Sequence, residues 1–337
     1  MKISFGIAAV LVLAGFLLAS CGRVGAPKGL GAQEASAEES GPVPAALVPP
    51  PHPMSIEALR DRKYSADPVV LGPPVPAAAG LAAEEFTYVS DGLTIHGLLE
   101  RPDRPATEGG WPVIVVAHGY IPPSSWSTRE NYRLVTRHYA SGGFLVVKPD
   151  YRGHGRSEGR GGSAARTIDY SIDVLNLIAG LDAVPDADTD NVFLYGHSMG
   201  GEIGLRILTV SHALRGASLW AGVTEDYPEN TLYFVRKRSA EEAERLQALI
   251  DTKIKREDYP SLSPGNYLDS IDVPLIIHHG TADESVPFAW SVPFRAALDE
   301  AGVDYRFYEY PGQDHNISGS FYTALDRDME FFRSLME

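Results

Sequence analysis

The stretch NVFLYGHSMGGE, residues 191–202, decides the fold of this chain. It begins with an apolar run that predicts a buried strand, and it ends where an apolar pattern with helical spacing starts. Between the two, Gly196-His197-Ser198-Met199-Gly200 fits G-x-S-x-G, in which glycines flank a turn too sharp for side chains. Such a turn holds the Ser198 hydroxyl clear of the sheet. The stretch therefore predicts an α/β fold and favours Ser198 as a nucleophile over a serine in a glycine-rich turn.

The sequence after Ser198 offers the two partners that an activated serine needs. A serine hydroxyl is a poor nucleophile without a base, and the base is oriented by a carboxylate. In this strand–helix order the acid comes first and the histidine second. Asp283 and His315 each follow an apolar strand candidate, and because parallel strands end at one edge of a sheet, we expect both beside Ser198. Glu284 remains a rival for the acid, whereas His315 is the only histidine after Asp283.

The loop His118-Gly119-Tyr120 follows another strand candidate and is expected to complete the site. Acyl transfer needs backbone donors for the developing oxyanion, one of them from the residue after the nucleophile. We therefore expect the N–H groups of Tyr120 and Met199 to form an oxyanion hole. His118 is interpreted as a structural hydrogen-bonding residue, and DYRGHGRS at 150–157 as a rigid connecting loop rather than an anion site.

Strand and helix patterns alternate from about residue 83 onward, which predicts an α/β domain with a mostly parallel sheet of about eight strands. Continuous apolar runs indicate strands buried on both faces, and Asp91-Gly92 indicates a two-residue hairpin turn between the first two. The expected strands are Phe86–Ser90, Leu93–Glu100, Pro112–His118, Phe144–Pro149, Asn191–Gly196, Ala217–Ala221, Pro274–His279 and Tyr305–Tyr310. The expected helices are Arg129–Ala140, Thr167–Leu181, Met199–Thr209, Val292–Ala301 and Gly319–Met336.

The composition excludes several classes of partner and site. The 337 residues include 44 acidic and 29 basic side chains, with a formal net charge of −15. A nucleic-acid partner is disfavoured because phosphate binding needs a basic face. Cys21 is the only cysteine, which excludes an intramolecular disulfide and multi-cysteine metal sites. His278 and His279 are neighbours on a strand and point to opposite faces, so they cannot chelate one ion, and no metal site is expected. We expect no cofactor either.

Residues 1–20 are typical of a bacterial export signal. Phe5–Leu18 is an uninterrupted run of apolar and small residues, too short to span a bilayer as a helix. It leads into Leu18-Ala19-Ser20-Cys21, which resembles the lipobox, where the cysteine thiol is acylated; cleavage at a small-residue site with Cys21 incidental is the alternative. Gly22 follows, which by resemblance to Gram-negative lipoproteins favours the outer membrane. We expect an exported protein, lipid-anchored at Cys21 to the cell envelope.

Residues 21–80 are expected to form a largely disordered tether ahead of a catalytic domain at 81–337. Ten of the 25 prolines lie between residues 41 and 80, and such a stretch buries too little apolar surface to offset its ordering entropy. A short helical turn is expected at residues 55–63.

The segments HGY, DYRGHGRS, YGHSMGGE, IIHHGTADESVP and YPGQDH, in this order and spacing, resemble the α/β-hydrolase superfamily. They are similar in particular to the catalytic domain of the prolyl-oligopeptidase (S9) family and to its dienelactone-hydrolase-like relatives. The resemblance covers about residues 85–337 and implies an α/β-hydrolase fold with helices on both faces of the sheet. It implies Ser198 as nucleophile, Asp283 as acid, His315 as base, and Tyr120 with Met199 as oxyanion hole. Prolyl oligopeptidases carry a β-propeller upstream, whereas about 60 tether residues precede this domain.

An insertion at about residues 222–270 is expected to form a small helical cap over the nucleophile rather than a surface excursion. Ser239 and Glu242 have the spacing of a capping box that opens an amphipathic helix. Tyr227, Tyr233 and Phe234 are the expected contacts with substrate.

The sequence thus predicts a serine hydrolase that cleaves a small-molecule ester, or an amide, through an acyl-enzyme. The principal alternative is an S9-type peptidase acting on short peptides. A transferase with an acceptor other than water and a non-catalytic binding protein of the same fold are more remote alternatives.

Overall fold

A computed structural model describes residues 50–64, 67–106, 108–161 and 166–336. The signal segment, Cys21 and the first part of the predicted tether lie outside these residues, and so do the expectations attached to them. Within the described ranges, no helix combines the length and the apolarity that crossing a bilayer requires.

The described residues form one mixed sheet of nine strands, one more than the sequence predicts. Its order is β1-β2-β3-β5-β4-β6-β7-β8-β9. β1 to β3 and the β3–β5 pair are antiparallel, and from β5 to β9 all neighbours are parallel. The strands are β1 Val70–Pro74, β2 Leu81–Ser90, β3 Leu93–Pro102, β4 Trp111–Ala117, β5 Leu145–Pro149, β6 Ala187–His197, β7 Gly216–Trp220, β8 Leu275–Gly280 and β9 Tyr305–Tyr310.

The strand characters follow from the sequence pattern. β5, β7 and β8 are buried along their whole length, as their continuous apolar runs predict. β2 and β3 alternate between buried and more exposed residues along part of their length and pair as a hairpin. Asp91 and Gly92 join them with φ angles of 53° and 76°, the left-handed conformations that a two-residue hairpin turn uses.

Helices cover both faces of the sheet and form two apolar cores. α1, α3, α4 and α8 contribute to one core, and α2 and α9 to the other. Along β4, Val113 and Val115 face the first core while Ile114 and Val116 face the second, because successive strand residues point to opposite sides. The helices are α1 Ile56–Asp61, α2 Arg133–Ser141, α3 Arg166–Ala179, α4 Met199–Val210, α5 Glu229–Arg236, α6 Ala240–Asp251, α7 Tyr259–Leu262, α8 Ser291–Ala301 and α9 Phe321–Ser334.

The second half of the predicted tether belongs to the folded domain, which corrects the boundary at residue 81. Ile56 and Leu59 of α1 are 0% and 1% exposed and lie in the first core. Ser55 caps the helix by accepting the Ala58 N–H at 3.1 Å. β1 then pairs with β2 at the edge of the sheet, where Pro73 and Pro74 are tolerated because an edge strand has fewer amide partners to satisfy.

The insertion at residues 222–270 folds into α5, α6 and α7. Ser239 accepts the Glu242 N–H at 3.2 Å, so the predicted cap of α6 is present. Leu232 and Ile250 are buried in the first core, and Arg206 of α4 donates to the Leu262 carbonyl at 2.8 Å. These contacts fasten the insertion to the helix that begins directly after Ser198.

Candidate active site

Ser198 occupies a strained turn between β6 and α4. Its φ and ψ are 58° and −119°, in a region that side-chain-bearing residues rarely adopt. The flanking glycines are required by close approach: a Cβ on Gly200 would lie 1.9 Å from the Ala117 carbonyl oxygen, and one on Gly196 would lie 2.5 Å from that of Gly200. The Ser198 N–H donates to Trp220 at 2.9 Å, which ties the turn to β7.

Asp283 and His315 meet at the carboxyl edge of the sheet, as their positions after β8 and β9 predict. His315 Nδ1 donates to Asp283 Oδ2 at 2.7 Å. His315 and Ser198 line the same two cavities. Among the described residues, the Ser198 hydroxyl makes no hydrogen bond to the His315 ring; such bonds are often long in unliganded enzymes and shorten when substrate binds.

Asp283 is held as a carboxylate. Its side chain is fully buried, and burial alone would raise its pKa. Hydrogen bonds from His279 and His315, and from the Ser285 and Val286 amides at 2.7 and 2.9 Å, instead hold the pKa of Asp283 well below its ordinary value. The carboxylate is therefore a permanent acceptor for His315.

The rival carboxylates lie elsewhere. Glu284 is exposed, and its backbone carbonyl accepts the Lys237 ammonium at 2.8 Å. Asp314 turns back on its own loop, where Ser318 donates to it through both its N–H and its hydroxyl. Among these three acidic residues, only Asp283 bonds to the His315 ring.

His279 is a site residue that the sequence analysis missed. Its Nε2 faces Asp283 Oδ2 at 3.0 Å and the Val286 carbonyl at 3.2 Å, while Nδ1 lies 2.6 Å from the Ser291 hydroxyl. Two acceptors at Nε2 assign the proton to that nitrogen. Asp283 thus has a second imidazole donor besides His315. The sequence feature that could have revealed His279 is its position near the end of β8, four residues before Asp283.

A second missed chain of hydrogen bonds joins the loop at residues 118–121 to the His315 loop. The Tyr132 hydroxyl accepts the Gly119 N–H at 2.7 Å and lies 2.7 Å from His197 Nδ1. His197 Nε2 faces the His315 carbonyl at 3.3 Å. Burial is the main cause that lowers the pKa of His197 to about 3, and the neighbouring His315 ring lowers it further, so this imidazole is neutral.

Tyr120 and Met199 border the space in front of Ser198. Met199 is the first residue of α4, so its N–H has no acceptor within the helix. Tyr120 lines both cavities, and its ring lies under the Arg166 guanidinium at 5.3 Å. Tyr120 and Met199 therefore line the same cavity as Ser198.

Two cavities meet at Ser198. The first has a volume of about 430 Å³ and is bounded mainly by the loop 118–121, by the start of α2 and by aromatic side chains, among them Tyr132, Trp220 and Phe321. The second has a volume of about 240 Å³ and lies between Ser198 and the insertion. The second is lined by Tyr120, Arg166, Thr167, Ser198, Met199, Glu202, Val223, Asn230, Thr231, Phe234, Arg238, Ser285 and His315.

The insertion therefore lies beside Ser198, but two of its three predicted substrate contacts, Tyr227 and Tyr233, do not line either cavity. Phe234 lines the second cavity. Tyr227 is 5% exposed and packs on Tyr259, and Tyr233 packs on Trp290 with ring centroids 4.8 Å apart. Because Tyr227 precedes α5 and turns into the core, its position in the insertion did not reveal its direction.

Two other polar segments that the sequence analysis considered make contacts within the domain. His118 is fully buried between the rings of Trp126 and Tyr151 and bonds to the Gly119 carbonyl at 2.8 Å. Arg152 of the DYRGHGRS loop pairs with buried Asp173 at 2.7 Å. Across the described ranges, no group of three His, Cys, Asp or Glu side chains is arranged to hold a metal ion.

The chain matches the prolyl oligopeptidase family model over residues 128–336. It is 26% identical over 204 residues to an uncharacterized peptidase, YtmA, of Bacillus subtilis; the match covers 59% of this chain and 72% of that one. The chain covers 34% or less of the length of the fungal peptidases that it also matches.

Solved structures support the same fold. The acylaminoacyl peptidase of Pyrococcus horikoshii superposes with a TM-score of 0.60 at 24% identity, over 75% of this chain and 42% of that one. Acetyl xylan esterase 1 of Thermoanaerobacterium superposes with a TM-score of 0.64 at 19% identity, over 85% of this chain and 95% of that one. The fold is thus one that both a peptidase and an esterase adopt.

Proposed function

Because the chain belongs to the prolyl oligopeptidase family and is a serine hydrolase, we propose that Ser198 is its nucleophile, His315 its base and Asp283 the acid that orients the base. The observation that carries the proposal is the fully buried Asp283 carboxylate, which accepts His315 Nδ1–H at 2.7 Å beside the strained Ser198 turn. This bond leaves Nε2 of His315 unprotonated and free to take a proton from the serine hydroxyl.

The proposed reaction proceeds in two steps. Ser198 Oγ attacks the carbonyl carbon of the substrate while His315 Nε2 removes its proton. His315 then returns the proton to the leaving group, and an acyl-enzyme remains. Water, deprotonated by the same nitrogen, releases the acid and restores Ser198. Asp283 stays ionised throughout and stabilises the imidazolium that forms in each step.

The oxyanion of each tetrahedral intermediate is proposed to be held by the N–H groups of Tyr120 and Met199. The Gly119 N–H is already donated to the Tyr132 hydroxyl, so that amide is not available for the oxyanion. Backbone donors that are fixed before the reaction stabilise the developing charge without reorganisation. The sharp turn at Ser198 is proposed to present its hydroxyl toward this pair.

We propose a carboxylic ester as the principal substrate. Cavities of about 430 and 240 Å³, both lined by Ser198, suit a small acyl group and a small leaving group. An ester also has a better leaving group than an amide, so it needs less binding energy to react. Cleavage of short peptides is the second candidate, and the family of the chain favours it.

A fluorophosphonate probe tests the nucleophile, because that reagent requires an activated serine. The full-length protein should be labelled, and Ser198→Ala should abolish labelling while circular dichroism shows an unchanged fold. Ser285→Ala, a serine that lines the second cavity, is the matched control and should still be labelled. Labelling of Ser198→Ala, or no labelling of the wild-type protein, would contradict the proposed mechanism.

We also propose that Cys21 carries a lipid that attaches the protein to the bacterial cell envelope. The support is the match of residues 18–21 to a lipobox after an export signal. Each buried methylene of an acyl chain contributes about 0.8 kcal/mol to membrane affinity. Cells that express the protein should incorporate radiolabelled palmitate into it, and Cys21→Ser should remove the label. A label that survives the substitution would refute the lipobox.

A further inference from the structure

The second cavity carries positive charge that its own carboxylate does not balance. Glu202 Oε1 accepts hydrogen bonds from Thr167 at 2.7 Å and from Asn230 at 2.8 Å. It also lies 3.6 Å from Arg206, which is fully buried in the same helix. Arg206 is the nearest cation to Glu202, and Arg166 also acts on it electrostatically, so Arg166 and Arg238 of the cavity together with Arg206 outnumber this one carboxylate.

Arg166 is partly buried and Arg238 is exposed, and both line the second cavity without a carboxylate at ion-pair distance among the described residues. The Nε atom of Arg166 is buried and has no hydrogen-bond partner in that part of the chain. In the same insertion, by contrast, Arg236 pairs with Glu229 at 2.5 Å and Arg245 with Glu241 at 2.5 Å. A buried donor without an acceptor is costly, and a ligand that accepts from it removes that cost.

The net negative charge of the chain means that Arg166 and Arg238 are a local concentration of positive charge. A formal net charge of −15 repels small anions at long range. Two unpaired guanidinium groups beside Ser198 therefore cannot be attributed to a generally basic surface. They place positive charge in one of the two cavities that Ser198 lines.

We propose that the substrate carries a carboxylate, which Arg166 and Arg238 bind in the second cavity while the scissile carbonyl lies against Ser198. The inference rests on the proposed function and adds the substrate class to it. The guanidinium fork matches the two oxygens of a carboxylate and remains charged at every physiological pH. Arg166, which stacks on Tyr120, joins this site directly to the proposed oxyanion hole.

The alternative occupant of this cavity is a substrate ammonium group bound by Glu202. It is disfavoured because an ammonium there would face Arg166 and Arg238 while competing with Arg206 for the same oxygen. The site thus selects against a free amino terminus and for an acidic group.

Two pairs of esters test the proposal, one for each side of the scissile bond. para-Acetoxybenzoate and its methyl ester differ by a carboxylate on the leaving group. The mono-p-nitrophenyl ester of adipic acid and p-nitrophenyl hexanoate differ by a carboxylate on the acyl chain. For each pair the measured quantity is the ratio of kcat/KM for the anionic ester to that for the neutral ester.

In at least one pair, Arg238→Gln and Arg166→Gln should each lower this ratio about tenfold, the effect expected for loss of one charge-assisted hydrogen bond. The double variant should lower it further, and Arg238→Glu should reverse the preference. Arg245→Gln removes the same charge from the exposed face of the insertion and should leave the ratio unchanged. Salt should weaken the preference of the wild-type protein.

The possible outcomes distinguish failure of the carboxylate site from failure of the proposed function. Turnover of the neutral esters that Ser198→Ala abolishes supports the proposed function alone. With that turnover present, a ratio that the arginine variants do not change in either pair would overturn the carboxylate site. Preferential cleavage of an aminoacyl ester with a free ammonium over its N-acetyl form would overturn it as well. Loss of all turnover in the wild-type protein would contradict the proposed function itself.

Discussion

Asp283 is the residue on which the orientation of His315 depends. An asparagine has the same size but presents an amide in place of one of its two acceptor oxygens, so Asp283→Asn should turn or retautomerise the imidazole. We expect kcat to fall on the order of 10⁴-fold, measured on a p-nitrophenyl ester, without loss of the fold. Glu284→Gln removes a neighbouring charge and should retain near-normal turnover. The opposite pattern would place the acid one residue later.

His197 should make the stability of the protein depend on pH. The unfolded chain binds a proton at this side chain near pH 6.5, while the folded state, with its pKa of about 3, does not. The free energy of unfolding is therefore highest above pH 6.5 and falls as the pH decreases through this window. Each pH unit costs up to about 1.4 kcal/mol from this group.

The matched variant for this effect is His197→Gln, which is uncharged but can still accept from Tyr132 and donate to the His315 carbonyl. Urea unfolding between about pH 6 and pH 4.5 should show a slope shallower by about one proton in the variant. Equal slopes in the two proteins would mean that His197 is protonated in the folded state.

For single residues, the sequence allowed predictions at positions where the chemistry requires a recognisable pattern. Ser198 was recognisable because its turn requires glycines, and Asp283 and His315 because each follows a strand end. Tyr132, His279 and Arg238 were not recognisable, since they reach the site through side-chain direction rather than through position after a strand. Their roles appear only when the packing of α2, β8 and the insertion is known.

Among the elements, α5 determines the size of the second cavity through Phe234. Phe234→Ala should lower kcat/KM for p-nitrophenyl hexanoate about tenfold and leave the acetate ester within about twofold, because only the longer acyl chain reaches this aromatic contact, worth about 1.4 kcal/mol. Tyr233→Ala is the control, since Tyr233 packs on Trp290 and does not line the cavity. Equal losses on both esters would mean that Phe234 acts on the fold and not on substrate.

The elements themselves were predicted unevenly. The eight strands that carry apolar runs or clear alternation were found within a few residues, because burial in a sheet requires those patterns. β1 was not, and α1 was expected only as a short helical turn within a tether, since Ile56, Leu59 and Val69 are the apolar residues buried in a described stretch rich in proline. A short segment that relies on three apolar anchors has a composition close to that of a linker, and contacts with the rest of the domain decide its structure.

For the molecule as a whole, we expect hydrolysis of small esters to be faster than hydrolysis of peptides. kcat/KM for p-nitrophenyl acetate or butyrate should exceed that for any short peptide p-nitroanilide by at least about a hundredfold, or about 2.7 kcal/mol of barrier. The reason is the poorer leaving group of the amide together with two small cavities. Efficient cleavage of peptide anilides with feeble ester hydrolysis would favour the peptidase alternative.

α1 has a further consequence for how the domain can be handled. Its Arg60 donates to the Thr209 carbonyl at 2.8 Å, near the last residue of α4, whereas Ser198 immediately precedes the first. The helix between them has 12 residues, about 18 Å at 1.5 Å per residue. A surface or resin attached through α1 itself would lie at the opposite end of this helix from Ser198. Immobilised in that way, the enzyme should keep its substrate entrance open to solution.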